Sequence, residues 1–231
     1  MNALVRMTLA LGLASAAPLA LAASLDVIDL RRPPVVNGDP VAGKEKAQVC
    51  NNCHGADGKA PVPNFPSMAG LPESYLYWKL VAFKESSRTD SIMTPLVTAN
   101  TLEDLRDMAA FYARLPLEAP SPLTPEPVDE AVLERGRQIY MAGDPKQGVP
   151  ACQGCHGPEG KGPTEPHRPY QDSWPPLYGQ QAMYVAERLT KFHDGYAIDS
   201  SMDKIMEGVA QNLTPEDIAA LAAFVERLDG R

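Results

Sequence analysis

The chain has 231 residues, room for one large domain or two small ones. Its 29 acidic residues against 21 Lys and Arg give a formal net charge of −8, which argues against nucleic acid as a partner. All four cysteines and two of the four histidines fall in two short clusters, CNNCHG at Cys50 to Gly55 and CQGCHG at Cys152 to Gly157.

Residues 1–23 carry one positive charge at Arg6, an apolar run from about Met7 and a small-residue exit, Ala20-Leu21-Ala22. This is the pattern of a secretory signal peptide cleaved near Ala22 or Ala23. The apolar run is short for a bilayer span, which sets this reading against a retained anchor. No cysteine follows the exit to take a lipoprotein anchor, and no other long apolar segment follows. The mature protein is therefore expected to be soluble in an exported compartment, and losing Arg6 takes its net charge from −8 to −9. An acidic surface of this size serves solubility, with a docking field as the alternative. Residues 24–38 form a polar, proline-containing lead to which the sequence assigns no role.

The first domain is placed at 39–115. A helix is expected to lead into the first cluster, with Asp39 as N-cap and Pro40 at the first helical position. The spacing predicts a middle helix over roughly 73–86. A last helix opens on Thr101 with Asp104 three residues on, a capping-box-like start, and carries an apolar stripe of Leu105, Met108, Ala109 and Tyr112. Residues 116–127 hold prolines at 116, 120, 122, 125 and 127, an extended and semi-rigid linker.

The second domain, 128–231, repeats the unit. Ser173 to Gly195 aligns with Asn64 to Ser86, matching Trp174 to Phe65, Pro175 to Pro66, Gly179 to Gly70, Tyr184 to Tyr75, Leu189 to Leu80 and Phe192 to Phe83. A helix from Val128 leads into the second cluster, and a middle helix covers roughly 181–194. The last helix starts on Thr214 and Asp217 with a stripe of Ile218, Leu221, Ala222 and Val225. Residues 162–176 add a longer loop holding His167. No strand pattern of useful length occurs, so the fold class is all-α, two tandem domains.

Two cysteines with a histidine directly behind them narrow the chemistry. A disulfide framework does not explain the histidines. Zinc needs about four ligands, and each cluster supplies three at most. A thioredoxin-type redox pair wants a strand before its cysteines, and neither cluster has one. Covalent haem c fits throughout: Cys50 and Cys53, or Cys152 and Cys155, reach two vinyl groups from one helical turn, and His54 or His156 lies under the iron. Two such clusters imply two haems per chain.

The second axial ligand selects the function, since methionine raises the iron's potential and an open position favours catalysis. Met93 and Met206 each lie eleven residues before the matched Asp104 and Asp217. Met202 is one helical turn before Met206 and stays open as an alternative. His167 and His193 read as surface residues, and Met68, Met108 and Met183 as packing residues. The carbonyls at Pro66 and Pro175 are candidates to accept the other N–H of the proximal histidine, with a plain turn proline as the alternative.

With these elements in place the chain resembles the diheme cytochrome c4 family, from about Gly43 to Leu228. The residues that carry the resemblance are CNNCHGADGKAPVPNFPSMAG, DPKQGVPACQGCHGPEGKG and MEGVAQNLTPEDI. It implies two class I cytochrome c folds set back to back with the haems near the interface. It places axial ligands at His54 and Met93 and at His156 and Met206. It implies electron transfer in the bacterial periplasm, from a quinol-oxidising complex or a dehydrogenase to a terminal oxidase, with peripheral membrane association in some members. The proline-rich linker and the longer loop depart from the family pattern. A diheme enzyme, such as a thiosulfate dehydrogenase or peroxidase, is weakened by the missing fifth cysteine and by the methionine register. A cytochrome subunit of a larger dehydrogenase complex is the third reading.

Overall fold

The computed structural model describes residues 27–85, 91–118, 127–163, 168–196 and 199–228. The leader, most of the proline linker, Ser86 and His167 lie outside the described residues. Among those described, every regular element is helical, with two isolated β-bridges, Ile28 to Ser200 and Asp144 to Val149.

The first half contains α1 (Pro40–Lys46), α2 (Asn51–His54), α3 (Glu73–Glu85), α4 (Met93–Val97) and α5 (Leu102–Arg114). The second contains α6 (Glu130–Ala142), α7 (Gln153–His156), α8 (Ala182–His193), α9 (Ser201–Ala210) and α10 (Pro215–Glu226), with a 3-10 turn at Pro169–Ser173 before α8. The starts follow the local chemistry. The Asp39 carboxylate accepts from the N–H groups of Val41 and Ala42 at 2.8 and 3.3 Å, and Pro40 opens α1. Thr101 with Asp104, and Thr214 with Asp217, form the expected reciprocal capping boxes.

Two details differ from the sequence expectation. The leading helices stop short of the clusters: α1 ends at Lys46, and in the second half an Asp144-to-Gly148 turn closed by the Asp144–Val149 bridge separates α6 from α7. Two further helices, α4 and α9, form around the candidate methionines. Pro95 fits α4 because it sits in the first turn, where no intrahelical N–H is needed.

Each half has its own core. In the first, Leu105, Met108, Ala109 and Tyr112 are all buried, with α5 lying across α1 and α3. In the second, Ile218, Leu221, Ala222 and Val225 do the same, with α10 across α6 and α8. The crossings depend on glycine at matched positions. A Cβ on Gly43 would lie 1.9 Å from the Asp107 carbonyl oxygen, and one on Gly136 would lie 2.1 Å from that of Ala220. Only a bare Cα lets the two backbones approach so closely.

The halves meet along a polar seam. Tyr184 donates its N–H to the Pro63 carbonyl at 3.1 Å. The Gln180 side chain accepts from the Ser67 N–H at 3.2 Å and donates to the Ser67 carbonyl at 2.6 Å. Lys79 of α3 pairs with Asp203 of α9 at 2.6 and 2.8 Å. No described helix is long and apolar enough to cross a membrane.

Candidate functional site

The two clusters fold alike. In each, the first cysteine's carbonyl accepts from the second cysteine's N–H and from that of the histidine, at 3.1 and 3.0 Å for Cys50 and at 3.2 and 3.0 Å for Cys152. One helical turn therefore carries both thiols and the imidazole. The glycine behind each histidine ends the turn: Gly55 and Gly157 adopt φ of 80° and 78°. A Cβ there would fall 2.1 Å from the carbonyl oxygen of Lys59 or Gly162. A left-handed residue with no side chain is what the sixth position of each cluster requires.

The imidazoles are fixed by the proline carbonyls named from sequence. His54 Nδ1 lies 2.9 Å from the Pro66 carbonyl oxygen, and His156 Nδ1 lies 2.8 Å from that of Pro175. A carbonyl oxygen only accepts, so Nδ1 must carry the proton. Nε2 is then left with its lone pair, the state a metal ligand needs. Burial pushes both imidazoles below their ordinary range, and the carbonyls partly oppose it. Tyr140 anchors the second turn from the core by donating to the Gly157 carbonyl at 2.7 Å, while Tyr112 holds the first through the Asn51 side chain at 2.8 Å.

No disulfide joins the four cysteines. Burial raises the thiols of Cys50 and Cys155 and takes that of Cys152 up to about 11, the opposite of an activated redox thiolate. Met93 opens α4 and packs against the core that holds Cys50; Met206 lies on α9 and packs against the core that holds Cys152. Met202 instead lines a cavity of about 20 Å³ on the seam, together with Tyr75, Trp78 and Lys79 of the first half. His193 is exposed and pairs with its neighbour Asp194, as a surface residue does.

The donor set fits haem c in both halves: two thiols a turn apart, an imidazole with a free Nε2, and a thioether sulfur on the same core. No group of three or more His, Cys, Asp or Glu residues forms a separate metal site among the described residues.

Sequence reasoning missed the seam contacts and the work of the lead. Lys79 had one signal, since its matched position in the repeat is Arg188, a second cation at the same place.

The cytochrome c family model matches residues 133–229, the second of the two halves. With the same turn, tethered histidine and capped helices in the other half, the protein is a tandem c-type cytochrome carrying two covalent haem c groups. It is 38% identical over 191 residues to cytochrome c4 of Pseudomonas aeruginosa, covering 83% of this chain and 89% of that protein. The crystal structure of reduced cytochrome c4 from Pseudomonas stutzeri matches with a TM-score of 0.71 and 34% identity, over 83% of this chain and 100% of that one. A thiosulfate dehydrogenase electron acceptor of Thiomonas intermedia is 31% identical over 186 residues, 80% of each chain. The chain belongs to the cytochrome c4 family: it is a diheme electron carrier that works with redox partners and is not itself an enzyme.

Proposed function

We propose that this carrier works in the periplasm, takes electrons from a quinol-oxidising complex or a dehydrogenase, and delivers them to a terminal oxidase. The axial ligands are His54 and Met93 in the first half and His156 and Met206 in the second. The domains span 39–115 and 128–231, behind a cleaved leader at 1–23, a lead at 24–38 and a linker at 116–127.

One observation carries the reading. In both halves an imidazole is held through Nδ1 by a proline carbonyl, with a methionine packed on the same core as the first cysteine of the pair. Bound haem c supplies a one-electron ferric and ferrous couple. The chain holds the ligand set rigid and keeps water out. Tyr112 and Tyr140 pin the cysteine turns, and the proline carbonyls prevent the imidazoles from rotating.

The relationship to a protein named as a thiosulfate dehydrogenase electron acceptor favours a second reading, in which the donor is a thiosulfate-oxidising enzyme. Stopped-flow mixing separates the two. The terminal-oxidase reading expects membranes containing a haem-copper oxidase to reoxidise the reduced protein rapidly and in a cyanide-sensitive way. Failure to do so, with rapid reduction by thiosulfate and its dehydrogenase, would replace the first reading with the second.

A further inference from the structure

The first turn of α9 is gripped from two sides by residues outside the second core. On one side is the lead. Ile28 donates its N–H to the Asp199 carbonyl at 3.0 Å, and its own carbonyl accepts from the Ser201 N–H at 2.9 Å. Leu30 donates its N–H to the Ser201 hydroxyl at 2.9 Å and is itself 5% exposed. The same lead belongs to the first half at its other end: Val36 and Ile28 pack on the first core, Gly38 donates to Glu73 at 2.7 Å, and Asp39 donates its N–H to Asp107 at 2.8 Å. On the other side is Lys79, whose ammonium meets both Asp203 oxygens. Asp203 also accepts from the Asp199 N–H at 3.2 Å and from the Ser200 hydroxyl at 2.9 Å, so one carboxylate ties the α9 cap to α3.

Met206 lies one turn further along α9. A helix moves as a rod over such a short distance, so a shift of its first turn carries Met206 with it. We infer that Ile28, through its two backbone hydrogen bonds, and Lys79 are positioning residues for Met206, so that the first half sets the methionine ligation of the second haem. This rests on the reading of Met206 as the axial ligand. The solved cytochrome c4 chain is matched in full by 83% of this one, so part of this chain lies beyond that match.

The control runs one way. The lead and Lys79 both belong to the first half and both bond directly to α9, so loosening them acts first on the second site and reaches Met93 only through the first core that Ile28 shares with it. Asp203 is 5% exposed and Lys79 is the cation bonded to both its oxygens, so removing Lys79 breaks the tie between α3 and the α9 cap and leaves Arg188 as the cation acting on the carboxylate.

The test uses the full diheme protein carrying Ile28→Pro, which removes the donor N–H, together with Lys79→Met, which keeps the apolar stem. Two signals are read: the near-infrared charge-transfer band of methionine-ligated ferric haem, and the two midpoint potentials from a spectroelectrochemical titration. The double variant should lose up to half of the band and lower one potential while the other holds. In a Met93→Ala background the same pair should remove the remaining band. Ile28→Val with Lys79→Arg should restore both signals. An unchanged band with both potentials unchanged, or equal shifts at both haems, would overturn the inference. Met206→Ala in the otherwise natural chain separates the two claims. If it leaves the band intact, the ligand assignment fails and this inference falls with it; if it halves the band while the double variant does not, only the positioning role fails.

Discussion

Met202 and Met206 stand one turn apart on α9 yet meet different neighbours: Met206 packs on the second core, and Met202 lines the seam cavity beside Tyr75 and Trp78. The register of the repeat favours Met206, and the packing gives that preference a physical basis. Met202→Leu should therefore keep the full near-infrared band in the ferric protein, because leucine fills a similar volume without a sulfur. Losing half of the band in that variant would move the second ligand to Met202.

Gly43→Ala and Gly136→Ala set two opposed effects against each other. Alanine in a helix ordinarily gains about 0.5–1 kcal/mol over glycine. Here its Cβ would come within 1.9 or 2.1 Å of a backbone carbonyl oxygen of the facing helix, and a backbone cannot step aside as a side chain can. Separating the helices should win, at a net cost of about 2 kcal/mol or more. Guanidinium unfolding followed by circular dichroism should show lower midpoints for both variants, with the loss confined to the half that carries the change.

Acid should loosen the α1–α5 crossing and the turn that follows α6. The Lys46 ammonium, with Thr101, holds Asp104 well below its ordinary value of 3.8, and the Arg135 guanidinium lowers Asp144 in the same way. A carboxylate whose folded pKa is depressed contributes in full above its unfolded value and loses that contribution as pH falls through the folded one. The unfolding midpoint should stay level from about pH 5 to 8 and decline below about pH 4. Lys46→Met should be less stable at neutral pH and should show a shallower acid decline; an unchanged decline would remove the Lys46 pair from this account.

Much of the site was legible because its chemistry fixes residue identity. Covalent attachment needs Cys50, Cys53, Cys152 and Cys155, and the proposed ligation needs a histidine directly behind each pair, so His54 and His156 could be named as candidates directly. The capping boxes at Thr101 and Thr214 were legible for a similar reason, since a side chain makes the bond. The seam was not. Ile28 acts through backbone N–H and carbonyl groups that every residue type shares, so its place beside Ser200 leaves no mark in the sequence. The pairing of Lys79 with Asp203 spans 124 positions and depends on how the halves are set against each other. Helix α4 was obscured by Pro95, which reads as a breaker until its place in the first turn is known.

The most direct test of the central claim, two haems each held by a histidine of a cysteine turn and a methionine of the same half, is the ferric near-infrared band measured per covalent haem. The natural chain should show a band of two haems' amplitude, with half of it in Met93→Ala, half in Met206→Ala and none when both are changed. A stable high-spin haem in the natural chain, or a band that survives either substitution in full, would contradict it.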